Sequence, residues 1–191
     1  MIYGKYKQVR NASWQTLIDY KIDKLPVGLS EICRSAGIRV LNNNDVGESG
    51  LRIGESGVSI KQGSQWYIIY DPADSRQRIR FTIAHELGHI FLGHEMRYGY
   101  HTRQDNIIKP EAETEADMYA ARLLAPACVL WALNIETPED IARICDISIT
   151  AASYRSERLV LLRSRGMFLK SPLERQVFEQ FSDFIDNSNK L

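Results

Sequence analysis

The sequence predicts an α+β fold, with a small twisted sheet packed on one helix and further helices before and after it. Short β-branched and aromatic runs at Ile38–Leu41, Val58–Ile60 and Gln65–Tyr70 read as strands. Ile79, Ile83, Leu87, Ile90 and Phe91 recur at helical spacing directly after them. Beyond Pro126 the chain reads as helical throughout.

Taken in order, Trp14, Leu17, Ile18, Ile22 and Leu25 make one helical face closed by Pro26. A shorter helix from Leu29 to Ala36 ends at Gly37, which suits a left-handed cap. The first strand follows at Ile38–Leu41. Asn42 to Gly57 is a glycine- and asparagine-rich loop with room for a short strand at Leu51–Ile53. Val58–Ile60, a turn through Gln62-Gly63-Ser64, and Gln65–Tyr70 form a hairpin. Asp74 and Gln77 read as a capping box for the next helix, with Pro72 stopping the segment before it. Pro110 opens another helix and Pro126 ends it. Thr137-Pro138 starts a helix that ends near Cys145, and Ile147–Thr150 leads into one that stops at Gly166. Ser171-Pro172-Leu173-Glu174 reads as a capping box opening a last amphipathic helix through Val177, Phe178, Phe181, Phe184 and Ile185, which is expected to fold back on the domain. The expected organisation is one domain: N-terminal helices over 1–37, a core over 38–126, and a helical region over 127–191 packed on it.

Within 191 residues, Lys+Arg and Asp+Glu number 24 each, so the formal charge is zero. That argues against nucleic-acid binding by the whole surface, which needs a basic excess. No apolar stretch approaches membrane-spanning length, and Met1–Lys7 has no apolar secretion core. Cys33, Cys128 and Cys145 are widely spaced and odd in number, which reads as reduced core thiols in a cytoplasmic protein.

The chemistry concentrates in His85-Glu86-Leu87-Gly88-His89. Residues four apart share a helix face, so His85 and His89 can grip one metal ion from successive turns. Glu86 points beside that ion, where it can take a proton from a water the metal activates. The two histidines and Glu86 fall off the apolar stripe, toward whatever cleft the helix borders. A catalytic zinc needs a third protein ligand. Glu113 and Asp117 lie four apart on the helix that Pro110 opens, so they share a face. Glu113 is read as the third ligand, and Asp117 as the acceptor that holds one histidine ring by its free N–H. Glu115 is the competing ligand, though it lies about 200° around the helix from Glu113. Glu111 and Glu115 are also explained as ordinary acidic charge in the first turns of a helix. His94, after Gly93, reads as a structural residue suited to the helix C-terminus.

His85-Glu86-Leu87-Gly88-His89 with Gly93-His94, then Glu113-x-x-x-Asp117-x-x-Ala120-Ala121-x-x-Leu124-x-Pro126, resembles the ImmA/IrrE family of metallo-endopeptidases. Arg80–Ala84 also fits the run into that family's active-site helix. The resemblance spans about Ile38 to Pro126. Two departures are mild: Asp117 where the family usually has Asn, and Ala125 where it often has Met. The thermolysin-like clan, in which a Glu-x-x-x-Asp helix supplies the third ligand, is similar too. The resemblance implies a zincin-like metallopeptidase core, His85, His89 and Glu113 as metal ligands, and Glu86 as acid/base. It also implies selective cleavage of a helix-turn-helix transcriptional repressor, while two histidines and a carboxylate suit zinc or manganese alike. In peptidases of this type a strand just before the active-site helix borders the cleft and pairs with extended substrate; Trp66–Tyr70 is the candidate, and it reads equally well as an ordinary buried strand. For the oxyanion donor, Tyr98, Tyr100, His101, Arg103 and Tyr119 are within reach in sequence, but none enters the catalytic set.

The two helices from Thr137 to Gly166 have the look of a helix-turn-helix, and residues 141–170 carry six Lys/Arg against two Asp/Glu. One reading presents Arg155 and Arg158 to DNA. The preferred one packs both helices behind the core, and direct nucleic-acid binding is not expected. Two other function classes stand beside the peptidase: a DNA-binding regulator that keeps the metal site for structure, and a module that sequesters a repressor without cutting it. Glu86 weighs against the second, because binding alone has no need of a general base.

Overall fold

A computed structural model of the chain describes residues 5–46, 50–94, 97–98 and 110–190. Among these the helices are α1 (Lys5–Asp19), α2 (Leu29–Ser35), α3 (Arg76–Leu92), α4 (Pro110–Leu124), α5 (Ala127–Ala132), α6 (Pro138–Cys145), α7 (Ile149–Ser164), α8 (Pro172–Gln180) and α9 (Ser182–Ser188). The strands are β1 (Ile38–Asn42), β2 (Gly57–Gln62), β3 (Gln65–Tyr70) and β4 (Arg97–Tyr98). The fold is α+β, as its sequence predicts. Internal packing divides the chain into two units, Leu29–Ala120 and Met1–Gly28 with Ala121–Leu191.

The unit Leu29–Ala120 holds the sheet, in the order β1-β3-β2-β4 among the described residues. β2 and β3 form the expected antiparallel hairpin, from Gly57 opposite Tyr70 to Gln62 opposite Gln65. Gly63 in their turn takes φ 59°, a left-handed conformation that glycine adopts without strain. β1 lies parallel to β3, Ile38 beside Trp66 through Asn42 beside Tyr70. With a neighbour on each side, β3 has no edge to offer an extended substrate, so Trp66–Tyr70 is not the cleft strand. β2 meets β4 only at Ile60 and Lys61 among the described residues, and its Gly57–Ser59 end lines the cleft described below. The expected strand at Leu51–Ile53 is irregular chain instead. Leu51 nevertheless packs with Leu41 and Val46 against buried Val58, Ile60 and Ile69, so burial there comes without pairing.

Helix α3 packs against β2 and β3. Its N-cap is Ser75, one residue past the Asp74 read from the sequence. Ser75 has extended backbone and its hydroxyl accepts from the Arg78 N–H at 3.3 Å, a cap that contributes about 1 kcal/mol. At the far end Gly93, at φ 70°, turns the chain out of the helix. Ile79, Ile83, Ile90 and Phe91 are only half-buried, whereas Thr82, Ala84, Glu86, Leu87, Gly88 and His89 are buried. The helix thus buries its small and polar side, because that side meets α4 and the sheet at short range.

Gly88 sets that range. A methyl in its place would lie 3.1 Å from Ala116 Cα, 3.1 Å from the Tyr119 ring and 3.3 Å from the Ala116 carbonyl. Two of those three contacts are main chain, which cannot swing aside as a side chain can. Gly57 does the same for β2: a Cβ there would collide with the Thr82 side chain.

In the other unit α1 packs on α8, and α8 on α5. Of the expected face, Trp14, Leu17, Ile22 and Leu25 are buried and Ile18 is half-buried, but not all of it is helical. Lys21, at φ 53°, reverses the chain after α1, and the Ile22 N–H reaches back to the Leu17 carbonyl at 2.9 Å. The last helix folds back as expected, in two pieces meeting at Phe181, with Val177, Phe181 and Ile185 buried. Its capping box is half formed. Ser171 makes no side-chain cap bond, while Glu174 accepts from the Lys170 N–H at 3.2 Å. α6 and α7 pair as expected, but Arg155 is not presented outward. Its Nε donates to the Ala125 carbonyl at 2.6 Å. No helix among the described residues is long and apolar enough to cross a membrane.

All three cysteines are buried and free, and burial pushes the Cys33 thiol up to about 11 and the Cys128 thiol up to about 12. Thiol-specific labelling at pH 8 is therefore expected to leave the native protein unmodified over the time that labels all three in denaturant. A two-unit rise alone cuts the reactive thiolate about 100-fold. Gly88→Val is expected to destabilise the protein by about 1–3 kcal/mol in urea titrations, because it wedges α3 from α4.

Candidate metal centre

Helical spacing brings His85 and His89 to one side of α3, with their Nε2 atoms 3.0 Å apart. From α4, Glu113 reaches the same point, Oε2 lying 3.3 Å from His85 Nε2 and Oε1 3.5 Å from His89 Nε2. Two imidazoles and a carboxylate thus turn lone-pair atoms toward one locus, all within 4.8 Å of one another. That donor set suits a divalent ion such as zinc or manganese. Glu115 does not join it, because it projects from another side of α4.

The outer nitrogens of both rings are engaged. His85 Nδ1 lies 2.8 Å from Asp117 Oδ1, one helical turn past Glu113. A carboxylate can only accept there, so His85 carries its proton on Nδ1 and leaves Nε2 free for a metal. Burial works against protonation of His85, but the Asp117 bond and the charges of Glu86, Asp117 and Glu113 outweigh it, so its pKa rises. His89 is 1% exposed. Burial, reinforced by His85 and His94, draws its pKa down to about 3, which keeps it a neutral imidazole.

Glu86 is buried beside this cluster, facing β2. The Ser59 hydroxyl donates to its Oε2 at 2.5 Å. Burial pushes the Glu86 carboxyl above the usual range, while the Ser59 bond and the His85 charge offset part of that rise. Gly57 lets β2 come close enough for this bond, since a Cβ would press on Thr82 and lie 3.7 Å from Glu86 Cγ. The cleft in front has a volume of about 390 Å3. Glu55 to Ser59 form one wall, and the α3 side chains Arg78, Phe81 and Thr82 lead along the other to His85, Glu86 and His89.

All five residues singled out in the sequence, His85, Glu86, His89, Glu113 and Asp117, line this one cleft. Two features escaped the sequence reading. Ser59 sits 27 residues before Glu86, and nothing in its neighbourhood marks it as a partner. His94 is more than a helix-end residue, because its Nδ1 lies 3.0 Å from His89 Nδ1 and its Nε2 3.2 Å from Glu115 Oε2. The signal for it was Gly93, whose left-handed cap folds the next residue back over the helix. Tyr119 is fully buried against Gly88 and Phe91, and is not part of the cleft wall. The side chains of Tyr98, Tyr100, His101 and Arg103 lie outside the described residues.

No curated protein matches the chain in sequence. The family model described as IrrE N-terminal-like domain, Peptidase_M78, matches residues 33–157. That span contains every residue of the cleft and reaches beyond Ile38–Pro126 at both ends. With well over half of its length inside the match, the chain belongs to the IrrE N-terminal-like family of peptidases.

Proposed function

We propose that this protein is a zinc-type metallo-endopeptidase, a hydrolase in which His85, His89 and Glu113 hold the ion and Glu86 is the general base. One observation carries the reading: a buried carboxylate, gripped by Ser59, stands beside a cluster of two histidines and a glutamate. A metal-free structural role gives no reason to bury that carboxylate at the wall of an open cleft. The ion, when bound, supplies a Lewis acid that polarises a peptide carbonyl and lowers the pKa of water. Glu86 takes the proton of the attacking water as its oxygen bonds to the scissile carbon. It delivers that proton to the amine nitrogen as the C–N bond breaks. Ser59 keeps the carboxylate aimed at the cleft during both transfers, and Asp117 keeps His85 in the tautomer that binds metal. Manganese fits the same donors.

The substrate chain is proposed to run extended along β2, past Gly57 and Val58. Among the described residues β4 meets β2 at Ile60 and Lys61, beyond that stretch. The substrate itself, a helix-turn-helix repressor cut at one site in the cytoplasm to regulate transcription, rests on the family resemblance. Three buried free thiols are consistent with a reducing compartment. The engagement of Arg155 with the Ala125 carbonyl weighs against α7 as a DNA-reading helix.

Glu86→Gln is expected to bind metal as wild type does and to lose cleavage by a factor of about 100 or more. Comparing new protein N-termini in native lysate of the source cells, with wild type and with this variant, tests the activity and names the substrate. One dominant cut made only by wild type supports the proposal, and full activity in the variant ends it. Metal content after dialysis is expected to drop to background in Glu113→Ala. Asp117→Ala is expected to keep the site but weaken it about 10- to 100-fold.

A further inference from the structure

The sequence reading leaves Glu115 and His94 outside the metal centre, yet the two form a second support for it. After Gly93 turns the chain, the His94 N–H bonds to the His89 carbonyl at 3.1 Å. That closure lays the His94 ring over the helix end. Its plane stands at 73° to the His89 ring, with centroids 5.0 Å apart. Glu115, two residues before Asp117 and so about 200° around α4 from it, closes on the outer edge of His94. The contacts then run in series: Glu115 Oε2 to His94 Nε2 at 3.2 Å, and His94 Nδ1 to His89 Nδ1 at 3.0 Å. The His94 side chain is 10% exposed and that of Glu115 is 23% exposed, against 60% for Asp117.

Hydrogen-bond chemistry permits one proton arrangement along this series that leaves His89 able to bind metal. A carboxylate only accepts, so His94 must carry its proton on Nε2. Neutral His94 then has a lone pair at Nδ1 and can only accept from His89. His89 must therefore carry its proton on Nδ1, which frees Nε2. We propose that Glu115 and His94 are positioning residues that set the tautomer and ring direction of His89 and so raise the affinity of the site for its metal. This rests on the metal-site reading above. It assigns the more shielded of the two supports to His89 and the solvated one, Asp117, to His85.

The test is the affinity of the full chain for Zn2+, measured by competition with a chromophoric chelator and independent of cleavage. His94→Ala and Glu115→Ala are each expected to weaken binding about 10- to 100-fold. Glu115→Gln, which keeps an acceptor oxygen, is expected to recover most of that loss. The Co2+-loaded variants are expected to keep the wild-type absorption envelope, since no ligand is removed. Imidazole 15N spectra of the metal-free wild type are expected to show His89 protonated at Nδ1 and His94 at Nε2, with Glu115→Ala mixing the tautomers. Should either alanine variant fail to fold, Glu115→Gln and the tautomer spectra of wild type still decide. Variant affinities within twofold of wild type would overturn the assignment and leave the metal site standing. So would a changed Co2+ spectrum in Glu115→Ala, which would make Glu115 a ligand. A wild-type chain that binds no Zn2+ would remove both the metal site and this inference.

Discussion

The candidate centre depends on how closely α3 and α4 approach. Two histidines on one helix and a glutamate on another share a locus only if the helices meet nearly backbone to backbone. Gly88 permits that against Ala116 and the Tyr119 ring. A larger side chain at either small position would press α4 off α3 and carry Glu113 away from the imidazoles it now meets at 3.3 and 3.5 Å. The two central residues of the His85–His89 motif therefore have separate tasks. Leu87 is fully buried in the packing, and Gly88 sets the spacing.

Electrostatics follows from that packing. Burial raises the Glu86 carboxyl toward its protonated form, and a protonated carboxyl is no base. The Ser59 hydroxyl and the neighbouring imidazole favour the charged form and work against burial. The same enclosure acts oppositely on His89, where it disfavours the cation and preserves a lone pair. One enclosure thus moves the two groups in opposite directions, Glu86 up and His89 down, each away from its charged form.

Legibility in the sequence divided along physical lines. Contacts within one helix follow from a fixed period, so the His85–Glu86–His89 grouping and the Glu113–Asp117 pair were readable. The hairpin was readable too, because its turn lies between two runs of strand-forming residues. Strand order was not: β1 inserts beside β3 through parallel pairing, which leaves no local mark, and the cleft strand moved from β3 to β2 as a result. Ser59 and Glu86 meet only through that arrangement. The cap at Ser75 in place of Asp74, and the break at Phe181, are one-residue decisions among near-equal alternatives that tertiary packing settles.

Gly93 carries a consequence for how this sequence can change over time. One residue both stops α3 and delivers His94 to the back of His89. Inserting or deleting a residue between His89 and Gly93 would rotate the turn about 100° around the helix axis and swing His94 away. Lineages of this chain are thus expected to vary freely in the identities of Ile90, Phe91 and Leu92, within the limits of packing, but never in their number. The constraint on descent falls on spacing, and it extends the indel-intolerant stretch from His85 through His94.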